Sequence, residues 1–182
     1  MRNFLLMTII QVSLVFNYNL LCFLIPLFEQ AYLIGILTSV SEMAAYIFSG
    51  VLFECLGVRF TFFVSLLLAL VGGLLILYHG LDHQDSLSFP IFFLMAKFGV
   101  SSAYNIMIVG NSRVFDVKRA ATAFGSASFF ARLIQSGSPL LSTMPQPLPM
   151  QIFCATIAIT AFVTLFIKVA HTPQTKRQLK QK

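Results

Sequence analysis

The chain has 182 residues, of which 58% are hydrophobic and only 10% charged, with a net charge of +6 and a mean hydropathy of +0.87. About a quarter of the residues in a soluble domain are charged, so this composition cannot cover a water-facing surface and indicates an all-α integral membrane protein. The basic excess could suggest a nucleic-acid binder, but its placement excludes one, because Lys and Arg lie at the ends of apolar runs and form no solvent-facing stripe interleaved with exposed aromatics.

A spanning helix needs about 20 mainly apolar residues, and six segments meet or nearly meet that length: 4–25, 31–53, 60–78, 89–110, 120–142 and 150–168. The first, Arg2 followed by "FLLMTIIQVSLVF", imitates a signal peptide. No small-x-small cleavage site follows it, and Asn17, Tyr18 and Asn19 interrupt its apolar core, so it is expected to persist as a span. Gln11 and the Asn17–Asn19 group make it partly polar. The second carries Ser39, Glu42, Tyr46 and Ser49 at steps of three and four, which places them on one helical face. Val40, Ala44, Ile47 and Val51 form the other face, fit for lipid or packing. The third, "FTFFVSLLLALVGGLLILY", is nearly plain.

The fourth segment begins near Pro90 and bears the stripe Lys97, Ser101, Tyr104 and Asn105. The fifth bears Gly125, Ser128, Arg132, Gln135 and Ser136. The sixth, "IFCATIAITAFVTLFI", is nearly plain and begins near Pro149, where a missing N–H costs nothing. The links "PLFEQ", "ECLGVR", "HGLDHQDSLS", "NSRVFDVKR" and "TMPQPLP" are short, so sequential helices should be antiparallel neighbours with no soluble domain between them. The expected layout is a bundle over residues 1–170 and a basic tail over 171–182. The chain has 20 Phe and no Trp, which leaves Tyr32, Tyr78 and the Lys/Arg groups as interfacial anchors.

With the N-terminus inside, ten bases fall on the inner side: Arg2, Arg59, Arg113, Lys118, Arg119, Lys168, Lys176, Arg177, Lys180 and Lys182. The outer side receives no Lys or Arg, only Glu29, Asp82 and Asp85. This asymmetry predicts cytoplasmic termini, with the tail "TKRQLKQK" as an anchor near anionic headgroups. Cys22, Cys55 and Cys154 are widely spaced and read as small buried hydrophobes. No zinc or redox spacing is present, and His79 and His83 read as solvated loop residues. There is no HExxH, GxSxG or P-loop, so neither an enzyme nor a cofactor or metal site is expected.

Glu42, Lys97 and Arg132 are formal charges within the spans, each costing at least about 2.5–3.5 kcal/mol at a helix centre. Two readings stay open. In one, the charges line a polar pathway, with Tyr18, Ser39, Glu42, Tyr46, Lys97, Tyr104, Asn105, Arg132 and Gln135 as its residues. Alternatively, Glu42 pairs with Lys97 or Arg132 as a structural ion pair that fixes helix register.

The stretch "GVLFECLGVRF" at 50–60 resembles the G-x-x-x-D-R-x-G-R-R loop of the major facilitator superfamily. Gly50, Glu54, Gly57 and Arg59 match it, while Cys55 and Val58 replace two of its bases. The resemblance extends to the organic cation and anion transporter branch. "FNYNLLCF" at 16–23 is similar to that branch's seventh helix, and "SEMAAY" at 41–46 to its V-E-I-P-A-Y motif. "AKFGVSSAYN" at 96–105 is similar to its G-K-F-G-x-x-x-x-F-N stretch, and "SASFFARLIQSGSPLL" at 126–141 to its R-x-G-x-x-x-x-P stretch. In "SRVFDVKR", residues 112–119, Ser112 and Phe115 depart from the family's E-L-Y-P-T-x-V-R loop and Arg119 matches it.

The resemblance covers nearly the whole chain but only the family's second half. It implies six transmembrane helices like the C-terminal half of such a transporter, with Gly50, Glu54, Gly57, Arg59 and Arg119 in a cytoplasmic gating loop. The implied activity is alternating-access transport of small, charged organic solutes at the plasma membrane, with the lipid bilayer, a solute, and an N-terminal six-helix half or a second copy as partners. The degraded 112–119 loop and Cys55 instead suit a non-transporting scaffold or an inactive remnant of a transporter half.

Overall fold

The computed structural model describes residues 2–27, 31–80, 88–114, 117–145 and 147–166. Among them every regular element is a helix and no strand occurs. Helix α1 is Arg2–Leu24, closed by a 3-10 turn at Ile25–Leu27. Helix α2 is Ala31–Leu75 and runs into a π-helical turn at Ile76–Gly80. Helices α3, Ser88–Val114, α4, Val117–Gln135, α5, Ser138–Ser142, and α6, Leu148–Thr164, are the other helices among the described residues. Among the described residues, three stretches are long and apolar enough to cross a membrane: Phe4–Leu24, Tyr32–Tyr78 and Phe89–Asn111. Leu148–Thr164 is a shorter apolar helix. The basic tail at 171–182, the 81–87 part of the third link and most of the "PLFEQ" link lie outside the described residues.

The Tyr32–Tyr78 stretch has 47 residues, about twice what a bilayer core requires. Its helix is interrupted at Gly57, which has φ 78° and ψ 171°, a combination open to glycine and almost closed to residues with a Cβ. Contacts along α3 give the direction of each arm. In the N-terminal arm, residues 31–56, Glu42 meets Lys97 and Ser49 meets Asn105, so the numbering rises in parallel. In the C-terminal arm, residues 58–75, Ser65 meets Ser102, Ala69 meets Gly99 and Gly72 meets Ala96, so it runs in the opposite sense. The two arms are therefore antiparallel, and the chain reverses at a single residue where the sequence suggested a short loop.

Helix α1 runs antiparallel to α3, with Tyr18 against Tyr104 and Cys22 against Lys97. It is also antiparallel to α6, with Ser13 against Thr160 and Asn17 against Thr156. The core joins Phe62, Leu66 and Ala69 of α2 to Phe93, Ala96 and Val100 of α3, with Ile10, Leu14 and Leu21 of α1 and Phe153 and Ile157 of α6. Ile36, Val40, Met43, Ile47 and Val51 face outward on α2, as do Phe129, Phe130 and Leu133 on α4. These outward-facing apolar side chains suit lipid contact.

Two local differences from the expected elements have identifiable causes. The 120–142 segment is not one helix: it stops at Gln135 and restarts as α5 after Gly137. Pro139 removes one helical N–H and disfavours helix at the residue before it, and Gly137 supplies the turn. The plain sixth segment is also less plain than its composition. Thr156 donates to Asn17 Oδ1 at 2.9 Å and Thr160 to Ser13 Oγ at 2.5 Å, so α6 is joined to α1 by hydroxyl bonds of the kind that link helices where the solvent is apolar.

The α2–α3 crossing depends on the absence of side chains. A Cβ on Gly99 would overlap the backbone of Ala69 and Ser65, and one on Gly72 the backbone of Ala96. Gly99→Val is expected to destabilise the bundle by about 1–3 kcal/mol, the usual range for overpacking. Gly57→Ala is expected to cost about 1–3 kcal/mol through backbone strain alone, because nothing lies within 4 Å of its added Cβ. Gly35→Ala, which also meets nothing within 4 Å, is the control. Thermal unfolding of the detergent-solubilised protein checks all three, and equal midpoints for Gly35→Ala and Gly99→Val would contradict the close crossing.

Candidate functional site

The polar stripes of the second and fourth segments meet. Lys97, a little over two turns into α3, directs its ammonium toward α1 and the N-terminal arm of α2. Its Nζ lies 2.9 Å from Glu42 Oε1, with the lysine side chain 1% exposed and the glutamate 21%. The same ammonium donates to Cys22 Sγ at 2.9 Å and sits 3.6 Å from the centre of the Tyr18 ring. Tyr18 and Cys22 are one turn apart on α1, so a single helical face supplies both. Two turns further along α3, Asn105 donates to Ser49 Oγ at 2.7 Å and to the Tyr46 carbonyl at 3.3 Å. Ser101, between Lys97 and Asn105, is buried with no hydrogen-bond partner among the described residues.

An ammonium this buried needs its partners. Isolated charges are strongly disfavoured in an apolar interior, and a cation over a desolvated aromatic face gains about 2 kcal/mol. Carboxylate, thiol and ring thus surround the Lys97 head, and two helices, α1 and α2, contribute them.

Beside this group lies a cavity of about 280 Å³ lined by residues of α1, α3 and α4, including Gln11, Asn19, Tyr18, Tyr104, Arg132 and Gln135. Tyr18 and Tyr104 stack at 5.5 Å between ring centres with 27° between planes. Tyr18 therefore has two roles: its ring supports the Lys97 ammonium and also walls the cavity. Gln11 donates to Ser128 Oγ at 2.5 Å, joining α1 to α4 at the cavity edge. Arg132 is exposed and has no ion-pair partner among the described residues. It is the one charged group among the cavity-lining residues.

Of the residues expected from sequence, Tyr18, Glu42, Tyr46, Lys97, Tyr104 and Asn105 come together around α3, and Arg132 and Gln135 face the cavity that Tyr18 and Tyr104 share. Of the two pairings open to Glu42, the one present is with Lys97. Ser39 stands apart: it donates to its own Gly35 carbonyl at 3.0 Å and borders a shallow outer hollow with Tyr32 and Val40. Gly50, Glu54, Gly57 and Arg59 lie at the reversal of α2, with Gly50 and Glu54 exposed. Arg59 donates from its guanidinium to the Leu165 carbonyl at the end of α6, where a cation also complements the helix dipole. The side chain of Arg119 lies outside the described residues.

Sequence reasoning treated Cys22 as a small hydrophobe, yet it accepts from Lys97. Its position one turn after Tyr18 was the signal available. Asn17, one of the polar residues that interrupt the first segment, is fully buried and accepts from Thr156 of α6. Among known proteins, no family model matches the chain and no curated protein matches it.

Removing one partner of a buried ion pair costs about 3–5 kcal/mol, because the other charge is left uncompensated. Glu42→Gln and Lys97→Met are each expected to lower the thermal unfolding midpoint in detergent, and the double variant to recover most of the loss. A double variant no more stable than the worse single would show that charge pairing is not what holds these helices.

Proposed function

We propose that the chain is one six-helix half of a secondary transporter that moves small, charged organic solutes by alternating access. The observation that carries this reading is the cavity beside a buried ion pair, lined by a cation that has no ion-pair partner among the described residues. Charged groups at bilayer depth belong to substrate or ion paths more often than to packing alone, and carriers of this kind bind solute between helices near the midplane. Because Glu42 is neutralised by Lys97 while Arg132 is not neutralised by any described group, the favoured solute carries an anionic group and a flat apolar body that can lie along Tyr18 and Tyr104.

The six spans follow if each arm of α2 is one pass and α4 with α5 and α6 supply the last two. The bias of Lys and Arg then puts both termini in the cytoplasm, and the resemblance to the organic ion transporter branch points to the plasma membrane. An N-terminal half or a second copy would close the open side of the cavity. A second reading has its own support: the Glu42–Lys97 pair is internally satisfied, as a scaffold or an inactive remnant would need.

Two measurements separate these readings. Native membranes probed with antibody to residues 175–182 should give a band near twice 20.3 kDa, or a 20.3 kDa band that cross-links to a dimer. A 20.3 kDa band that never cross-links favours the scaffold. In vesicles holding the complete carrier, Arg132→Gln should reduce uptake of an organic anion at least tenfold with insertion unchanged. Unaltered uptake across a panel of anions and cations would remove Arg132 from the path.

A further inference from the structure

The contact between Lys97 and Cys22 joins an amine and a thiol from two helices. The amine has a carboxylate at 2.9 Å, a thiol sulfur at 2.9 Å and an aromatic face at 3.6 Å, and its side chain is almost wholly excluded from the surface. Cys22 itself is only half-buried. A nitrogen is thus held against a sulfur that a small neutral oxidant can reach, and the same nitrogen touches a carboxylate that can take its extra proton.

The geometry points to a redox modification site: hydrogen peroxide oxidises Cys22, and the product condenses with Lys97 to a sulfenamide cross-link between α1 and α3. In the first step the Cys22 sulfur attacks one peroxide oxygen and the O–O bond breaks. The thiol proton leaves with the departing hydroxide as water, so sulfur is oxidised by two electrons and peroxide is reduced. In the second step Lys97 passes its extra proton to Glu42. The freed nitrogen lone pair forms the N–S bond as the S–O bond breaks, and an amine proton leaves with that hydroxide as a second water. Condensation of a sulfenic acid with a nearby nitrogen is established chemistry for backbone amides, and here the nitrogen is already in contact. The sum is thiol, amine and one peroxide giving sulfenamide and two waters. Glu42 ends protonated and Lys97 non-basic, so oxidation exchanges a buried ion pair for two neutral groups and leaves no stranded charge. The inference rests on this contact alone and holds whether or not the chain transports anything.

The test is peptide mass spectrometry of the full chain in lipid nanodiscs after millimolar hydrogen peroxide. The expected product joins the peptides containing Cys22 and Lys97, is lighter than their sum by two hydrogens, and is cleaved by dithiothreitol. Cys22→Ser should abolish it. Lys97→Arg, which keeps the positive charge facing Glu42, should abolish it and leave Cys22 as a sulfenic acid trapped by dimedone. The proposal is overturned if the unmutated protein yields a dimedone adduct at Cys22 without a cross-link. It is equally overturned if exposed Cys55 is oxidised while Cys22 stays a thiol.

Discussion

The bundle is organised by the need to accommodate one ammonium in an apolar interior. Lys97 cannot reach water from its place on α3, so the surrounding helices must supply what water would. The N-terminal arm of α2 brings a carboxylate, and one face of α1 brings a ring and a sulfur. These contacts act at distances near 3 Å, so they tolerate little sliding. A slip of one helical turn, about 5.4 Å, by either neighbour would separate the pair and strand a charge. The lysine therefore sets the register of three helices at once, and the positions of Tyr104 and Asn105 follow from it.

The opposite side of α3 uses a different principle. There Gly99, Ala96 and Ser102 meet Ala69, Gly72 and Ser65, and the two backbones approach as closely as their atoms allow. In lipid, apolar side chains gain little by leaving the solvent for one another, so association depends on dispersion at close range and on hydroxyl pairs. One helix thus presents a small-residue face to the C-terminal arm of α2 and a polar face to the N-terminal arm and α1. The same chain segment is pinned from one side by shape and from the other by charge.

Much of this was legible in the sequence because it is written in helical spacing. The stripes 42/46/49 and 97/101/105 identified the faces that meet, and Gly57 marked the turn. Periodicity gives a face but not a height or a partner. Ser39 shares the face of Tyr46, yet it lies one turn beyond the ion pair and bonds to its own helix. Whether Glu42 would meet Lys97 or Arg132 depended on which helices become neighbours, which residue spacing within one helix does not encode. Thr156 and Thr160 were hidden because threonine is common in apolar helices and becomes informative only when Asn17 and Ser13 are seen opposite. Cys22 was hidden for a similar reason: its chemistry here comes from the amine that another helix places against it.

The reversal at Gly57 has a practical consequence for mapping how the chain threads its surroundings. A turn made by one residue, with helix on both sides and Arg59 fastened to the end of α6, offers almost no extended chain there. An inserted epitope or glycosylation acceptor would have to unwind part of either arm before an enzyme or antibody could engage it, and a negative result would reflect that unwinding and not the side on which the turn lies. Cys55 stands exposed two residues earlier. An impermeant maleimide at that position would report sidedness without disturbing the helix pair.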